Sequence, residues 1–139
     1  MSHKLNNYSC VLLDDEPASL LVLENYISRL PDMELAGSFT DVAQAIDSLV
    51  ELDHIDFLFL DIRMPVSGIE VARRIRERTS FLIFTTAFPQ YALEAFSVHA
   101  DHYLIKPIGF DGFLSAVNQV LVKNARTPIS SEAYLRSSD

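Results

Sequence analysis

Several things are scarce or absent in this sequence, and each absence closes off a class of function. Its 139 residues include no tryptophan and one cysteine, Cys10, so no internal disulfide can form. The apolar neighbours of Cys10 mark it as a core residue. The four histidines, His3, His54, His99 and His102, have no metal-ligand spacing with cysteine, which argues against a zinc centre. No apolar run approaches the ~18 residues of a membrane span, and the opening MSHKLNNYSC lacks the apolar centre of a signal peptide. Basic residues are outnumbered, 11 Lys and Arg against 19 Asp and Glu, for a formal net charge of −8. Nucleic-acid backbones are held by clustered Lys and Arg, so no direct nucleic-acid contact is expected. The chain reads as soluble and cytoplasmic, without membrane contact.

What is present is an ordinary globular composition, 49 % hydrophobic and 22 % charged, of a size for one domain. Short apolar runs alternate with stretches of helical period. Residues 9–13 (SCVLL), 34–39 (ELAGSF), 56–60 (DFLFL), 81–85 (FLIFT) and 102–105 (HYLI) read as strands. Between and after them, helices are predicted over 18–30, from a Thr40 or Asp41 cap, over 68–78, over about 90–98, and over 111 to about 123. The polar stretch 126–139, with Pro128 and several serines, reads as a linker or tail following a domain of residues 1–125. Five βα units in a row predict a doubly wound parallel sheet with helices on both faces. Such sheets bind ligands beyond the carboxyl ends of their strands.

Those ends carry Asp14 and Asp15, Asp61, Thr85 and Thr86, and Lys106 with Pro107. Each has a plain structural explanation by itself. Asp14, Asp15 and Glu16 before Pro17 suit a helix start, Asp61 can open a turn, and a lysine is usually solvated. One rim would nevertheless gather three carboxylates, a hydroxyl and an ammonium. Clustered carboxylates repel unless a cation compensates. Oxygen ligands with open positions suit Mg²⁺, which is completed by phosphate oxygens, and a carboxylate is a known phosphoryl acceptor.

The pattern VLLDDEP, FLFLDIRMP, FLIFTTA and DHYLIKPI resembles the receiver domain of two-component response regulators, over about residues 8–125. That resemblance implies a flavodoxin-like (βα)5 sandwich with strand order 2-1-3-4-5. It implies Asp61 as phosphoacceptor from a sensor histidine kinase. Asp15 would be a direct Mg²⁺ ligand, Asp14 would act mainly through water, and the backbone carbonyl of Arg63 would supply another ligand. Thr86 would be the switch hydroxyl, Lys106 the phosphate contact, and Tyr103 the aromatic ring that changes rotamer. Lys106-Pro107 is similar to the family's cis peptide. The segment TTAFPQYALEAFSVHADHYLIKPI resembles receivers that precede a LytTR-type DNA-binding domain, as in LytR/AlgR transcriptional regulators, and that output domain is expected to lie outside this fragment. A homodimer through the fourth helix, fifth strand and fifth helix is also implied, with Tyr91, His99 and His102 as surface candidates and Phe96 and Phe113 as core.

Two features depart from the family pattern. The loop from Asp61 to Gly68 is one residue shorter than usual. Phe88 and Arg63, each two residues beyond a site residue, would stand at the mouth, where a bulky Phe88 predicts slow autodephosphorylation. Other readings stay open at this point. A Mg²⁺-dependent aspartyl phosphohydrolase typically has a carboxylate two residues past its nucleophile, where Arg63 stands. A flavin or nucleotide binder would want a glycine- or hydroxyl-rich loop after strand one, where Asp14-Asp15-Glu16-Pro17 would repel phosphate. A receiver acting alone through protein–protein interaction, or a pseudo-receiver that only binds, completes the set.

Overall fold

The central strands form where the chain is apolar with little interruption, and the order of elements follows the predicted alternation. In a computed structural model, residues 7–52, 54–62, 68–91 and 99–129 are described. The strands are β1 (Tyr8–Leu13), β2 (Met33–Phe39), β3 (Ile55–Asp61), β4 (Thr79–Thr86) and β5 (His102–Ile105). The helices are α1 (Pro17–Ser28), α2 (Val42–Glu51), α3 (Gly68–Ile75) and a C-terminal helix (Phe110–Lys123). All strand pairings are parallel, and the sheet order is β2-β1-β3-β4-β5, as the resemblance implied.

Alternation along each strand divides the core into two. Cys10, Leu12, Phe57, Phe59, Phe81, Ile83 and Leu104 face α1 and the C-terminal helix, meeting Leu20, Leu23, Phe113 and Val117. Val11, Leu13, Leu58, Leu60, Leu82 and Phe84 face α2 and α3, meeting Ala45, Leu49, Val71 and Ile75. Both faces of β1, β3 and β4 are thus covered, which is why these strands read as continuous apolar runs rather than as alternating ones. Phe113, expected in the core, is fully buried there. Asp41 caps α2 by accepting the Ala43 N–H at 3.0 Å.

Most boundaries lie within two residues of the sequence reading, and three differences bear on the packing. The third helix ends at Ile75 and is followed by a 3₁₀ turn, Arg76–Arg78, rather than running to residue 78. The cause is tertiary: the Arg76 guanidinium donates to the Thr79 carbonyl at 3.0 Å and pairs with Asp101 at 3.1 Å, while Thr79 joins the ladder opposite Ile55. Strand β4 therefore starts two residues earlier than its apolar run. The start of the polar stretch, 126–129, is docked on the domain: the Asn118 amide donates to the Ile129 carbonyl at 3.0 Å and accepts its N–H at 2.7 Å. Ile129 is buried in the same core layer as Phe113. Of the predicted fourth helix, a 3₁₀ turn at Pro89–Tyr91 is described. Phe96 and the rest of that helix, and residues 130–139, lie outside the described residues.

Candidate functional site

Because the strands are parallel, their carboxyl ends share one edge, and the order switches there between β1 and β3. Asp14 immediately follows β1, and its N–H is held by the Phe39 carbonyl at 3.1 Å. Asp61 closes β3 opposite Thr85 of β4. The Lys106 N–H donates to the Thr86 carbonyl at 2.7 Å, which fixes the residue just past β5 at the same rim. Four elements far apart in sequence thereby set their last residues side by side.

Carboxylate oxygens of Asp14, Asp15 and Asp61 all lie within 4.8 Å of one another. Asp14 and Asp61 are buried and Asp15 is exposed. The Lys106 ammonium enters this group, at 2.8 Å from Asp14, 3.3 Å from Glu16 and 3.6 Å from Asp61. Burial opposes the charge on Lys106. The hydrogen bond to Asp14 and the negative charges of Asp61 and Asp14 outweigh it, so its pKa is raised above the ordinary lysine value. Glu16 is shifted the other way, its carboxylate favoured by the hydrogen bond and charge of Lys106 and by the Ser19 hydroxyl. The Lys106–Pro107 peptide is cis. Beside the lysine, a cleft of about 460 Å³ is lined by Asp14, Glu16, Leu23, Tyr26, Lys106 and Ile108, among others.

The remaining candidates fall into different positions. Thr86 is buried at the end of β4, and its hydroxyl accepts the Phe88 N–H at 3.0 Å. Tyr103 is exposed on edge strand β5. The adjacent His102 ring accepts the Tyr103 N–H on Nδ1 at 2.8 Å, and its Nε2 lies 3.1 Å from the Gln119 side chain of the C-terminal helix. His99 is exposed, and its carbonyl accepts from Arg76 at 3.2 Å. Arg63, expected to lend a carbonyl to a metal, lies outside the described residues, as does the side chain of Tyr91.

Two contributors were not singled out from the sequence. Glu16, read as part of a helix start, shares the lysine. Tyr26, placed on the inward face of the first helix, donates its hydroxyl to the Ile108 carbonyl at 2.7 Å and so braces the loop after Lys106. Both contacts join residues more than eighty positions apart, and local pattern carries no trace of them.

The family model of the response regulator receiver domain matches residues 10–118. The chain belongs to that family. Among its relatives, an uncharacterized response regulatory protein of Vibrio cholerae is 40 % identical over 105 residues, covering 73 % of this chain and 40 % of the relative. The transcriptional regulatory protein BtsR of Escherichia coli is 37 % identical over 100 residues, covering 70 % and 41 %. The transcriptional regulatory protein LytR of Staphylococcus aureus is 30 % identical over 128 residues, covering 90 % and 52 %. The receiver chain thus spans about half or less of the length of these relatives. Its fold is similar to the response regulatory domain of mrkE from Klebsiella pneumoniae, with TM-score 0.73 at 27 % identity, covering 83 % of this chain and 96 % of that one. It is also similar to the response regulator TrrA of Thermotoga maritima in complex with Mg²⁺–BeF, with TM-score 0.70 at 28 % identity, covering 82 % and 99 %.

Proposed function

We propose that this receiver domain accepts a phosphoryl group on Asp61 from a sensor histidine kinase and thereby switches an output. The observation that carries the proposal is the Lys106 ammonium lying between Asp14 and Asp61, at 2.8 and 3.6 Å, against a cluster of three carboxylates. One ammonium leaves such a cluster short of positive charge. Its donors are all oxygen, two of them on buried residues, which suits a small hard cation. Asp14, Asp15 and Asp61, with the carbonyl of Arg63, are the residues proposed to hold Mg²⁺. When bound, that ion would neutralise the carboxylates and offer open positions to phosphoryl oxygens. The Mg²⁺–BeF complex of TrrA supports this reading by analogy.

In the proposed step an Asp61 carboxylate oxygen forms a bond to phosphorus as the donor's bond to phosphorus breaks, and the electron pair leaves with the donor. Lys106 then takes up part of the charge on the transferred oxygens. Thr86 would leave the Phe88 N–H to reach the phosphoryl group, and Tyr103 would turn from the surface into the space vacated. Through β5 and the C-terminal helix, this would favour a homodimer on that face. The kinship with BtsR and LytR supports a transcriptional output, proposed to be of LytTR type and reached through residues 126–139. Catalysis would be confined to the domain's own modification and its hydrolysis, in the cytoplasm.

Treatment with acetyl phosphate and Mg²⁺, followed by intact-mass measurement, tests the proposal. The parent should gain one phosphoryl group and Asp61→Asn none. Labelling of Asp61→Asn to the same extent, or an unlabelled parent, would overturn it.

A further inference from the structure

Lys106 Nζ is closer to Glu16, at 3.3 Å, than to the acceptor Asp61, at 3.6 Å. Glu16 is the N-cap residue of α1, yet its side chain makes no capping bond to the helix. Instead its carboxylate extends along the rim, where Oε1 accepts from both Ser19 Oγ, at 3.2 Å, and Lys106 Nζ. Asp14, the lysine's other near partner, is buried and its second oxygen is committed to the Glu16 N–H at 2.9 Å, so that pairing is built into the fold. The Glu16 pairing is different, because its side chain is 65 % exposed. An exposed pair is held weakly and exchanges readily.

We propose that Glu16 is a positioning residue that draws the Lys106 ammonium toward α1, so that a phosphoryl group arriving at Asp61 must win the lysine from it. The inference rests on the receiver reading of Asp61 and Lys106 and adds a competitor to it. Glu16 lowers the share of molecules whose lysine is free to meet the incoming oxygens, and so slows phosphorylation by a small acyl phosphate. In that reaction the Asp61–phosphorus bond forms, the phosphorus–acetate oxygen bond breaks, and acetate leaves with the electron pair.

The test compares Glu16→Gln and Glu16→Asp with the parent, using acetyl phosphate and Mg²⁺. Gln keeps the size and the Ser19 contact but loses the charge; Asp keeps the charge but falls short of Nζ. Both variants should be phosphorylated about two- to fivefold faster, the factor an exposed ion pair can supply. In the metal-free, unphosphorylated protein, the Lys106 side-chain ammonium resonance, identified by its loss in Lys106→Met, should move in both variants. Rates equal to or below the parent's in both would overturn the inference. So would acceleration in Glu16→Gln alone, since that assigns the effect to charge at the mouth rather than to the pairing. A parent that takes no phosphoryl group would instead bring down the receiver reading, and this inference with it.

Discussion

Burying Asp14 and Asp61 side by side places two like charges in a poorly solvated rim, and Lys106 offsets that cost at 2.8 and 3.6 Å. Replacing it by Met would leave the carboxylates uncompensated. In chelator, Lys106→Met should lose about 3 kcal/mol or more, as broken buried ion pairs do. Added Mg²⁺ should then raise its melting temperature by more than it raises the parent's. An equal Mg²⁺ response in the two proteins would show that lysine and ion do not answer the same charge. Phe88 makes a second prediction at this scale. It stands two residues beyond Thr86 with 41 % of its surface exposed; if Asp61 is phosphorylated as proposed, the Phe88 ring would stand where water must pass to reach the aspartyl phosphate. Phe88→Ala should therefore shorten the half-life of the aspartyl phosphate; unchanged decay would remove Phe88 from any shielding role. The carboxylates and Lys106 were legible from sequence because each terminates an apolar strand, and parallel pairing gathers strand ends. The turn of the Thr86 hydroxyl toward Phe88 was not legible, since it depends on how the next loop folds. Nor was the reach of Lys106 to Glu16, ninety residues away.

Among the elements, strand content followed from apolar runs, whereas boundaries followed from partners. The run 81–85 marked β4, but pairing with β3 carried it back to Thr79, and Arg76 ended the preceding helix by reaching Thr79 and Asp101. Hydrophobic period registers neither event, because both are set by contacts across the sheet. The stretch 126–129 shows the same limit. Its composition is polar, yet one isoleucine among polar neighbours completes the layer around Phe113 and Val117. Arg126 lies over the Phe81 ring, its guanidinium carbon 5.4 Å from the centroid. Ile129→Ala should cost about 2 kcal/mol or more for the buried side chain lost, and Asn118→Ala about 1–2 kcal/mol for its two backbone hydrogen bonds. Chemical denaturation of each variant and of the pair checks both, and the double mutant should be less than additive because the two act on one segment. Full additivity would separate them.

For the whole molecule, the layout puts the carboxylate rim and the exposed edge strand on different surfaces. The carboxylate rim lies at the carboxyl ends of the strands, whereas Tyr103 and His102 occupy the edge strand beside the C-terminal helix. The two are joined through the backbone: the Thr86 carbonyl accepts the Lys106 N–H, and β5 runs directly into that residue. Beryllofluoride with Mg²⁺ should shift the parent toward dimer in sedimentation experiments, and Tyr103→Ala should weaken that shift while leaving the intact-mass gain with acetyl phosphate in place. A dimer that forms equally well without beryllofluoride would detach assembly from the switch. The clip between Asn118 and residue 129 ties residues 126–129 to the C-terminal helix. Arg126 sits over Phe81, toward the amino-terminal end of β4 and away from the carboxylates, and Ile129 belongs to the same core layer as Phe81. Residue 129 is bonded twice to that helix, so a tilt or slide of the helix would carry residues 126–129 with it, at the pole of the sheet opposite the carboxylates.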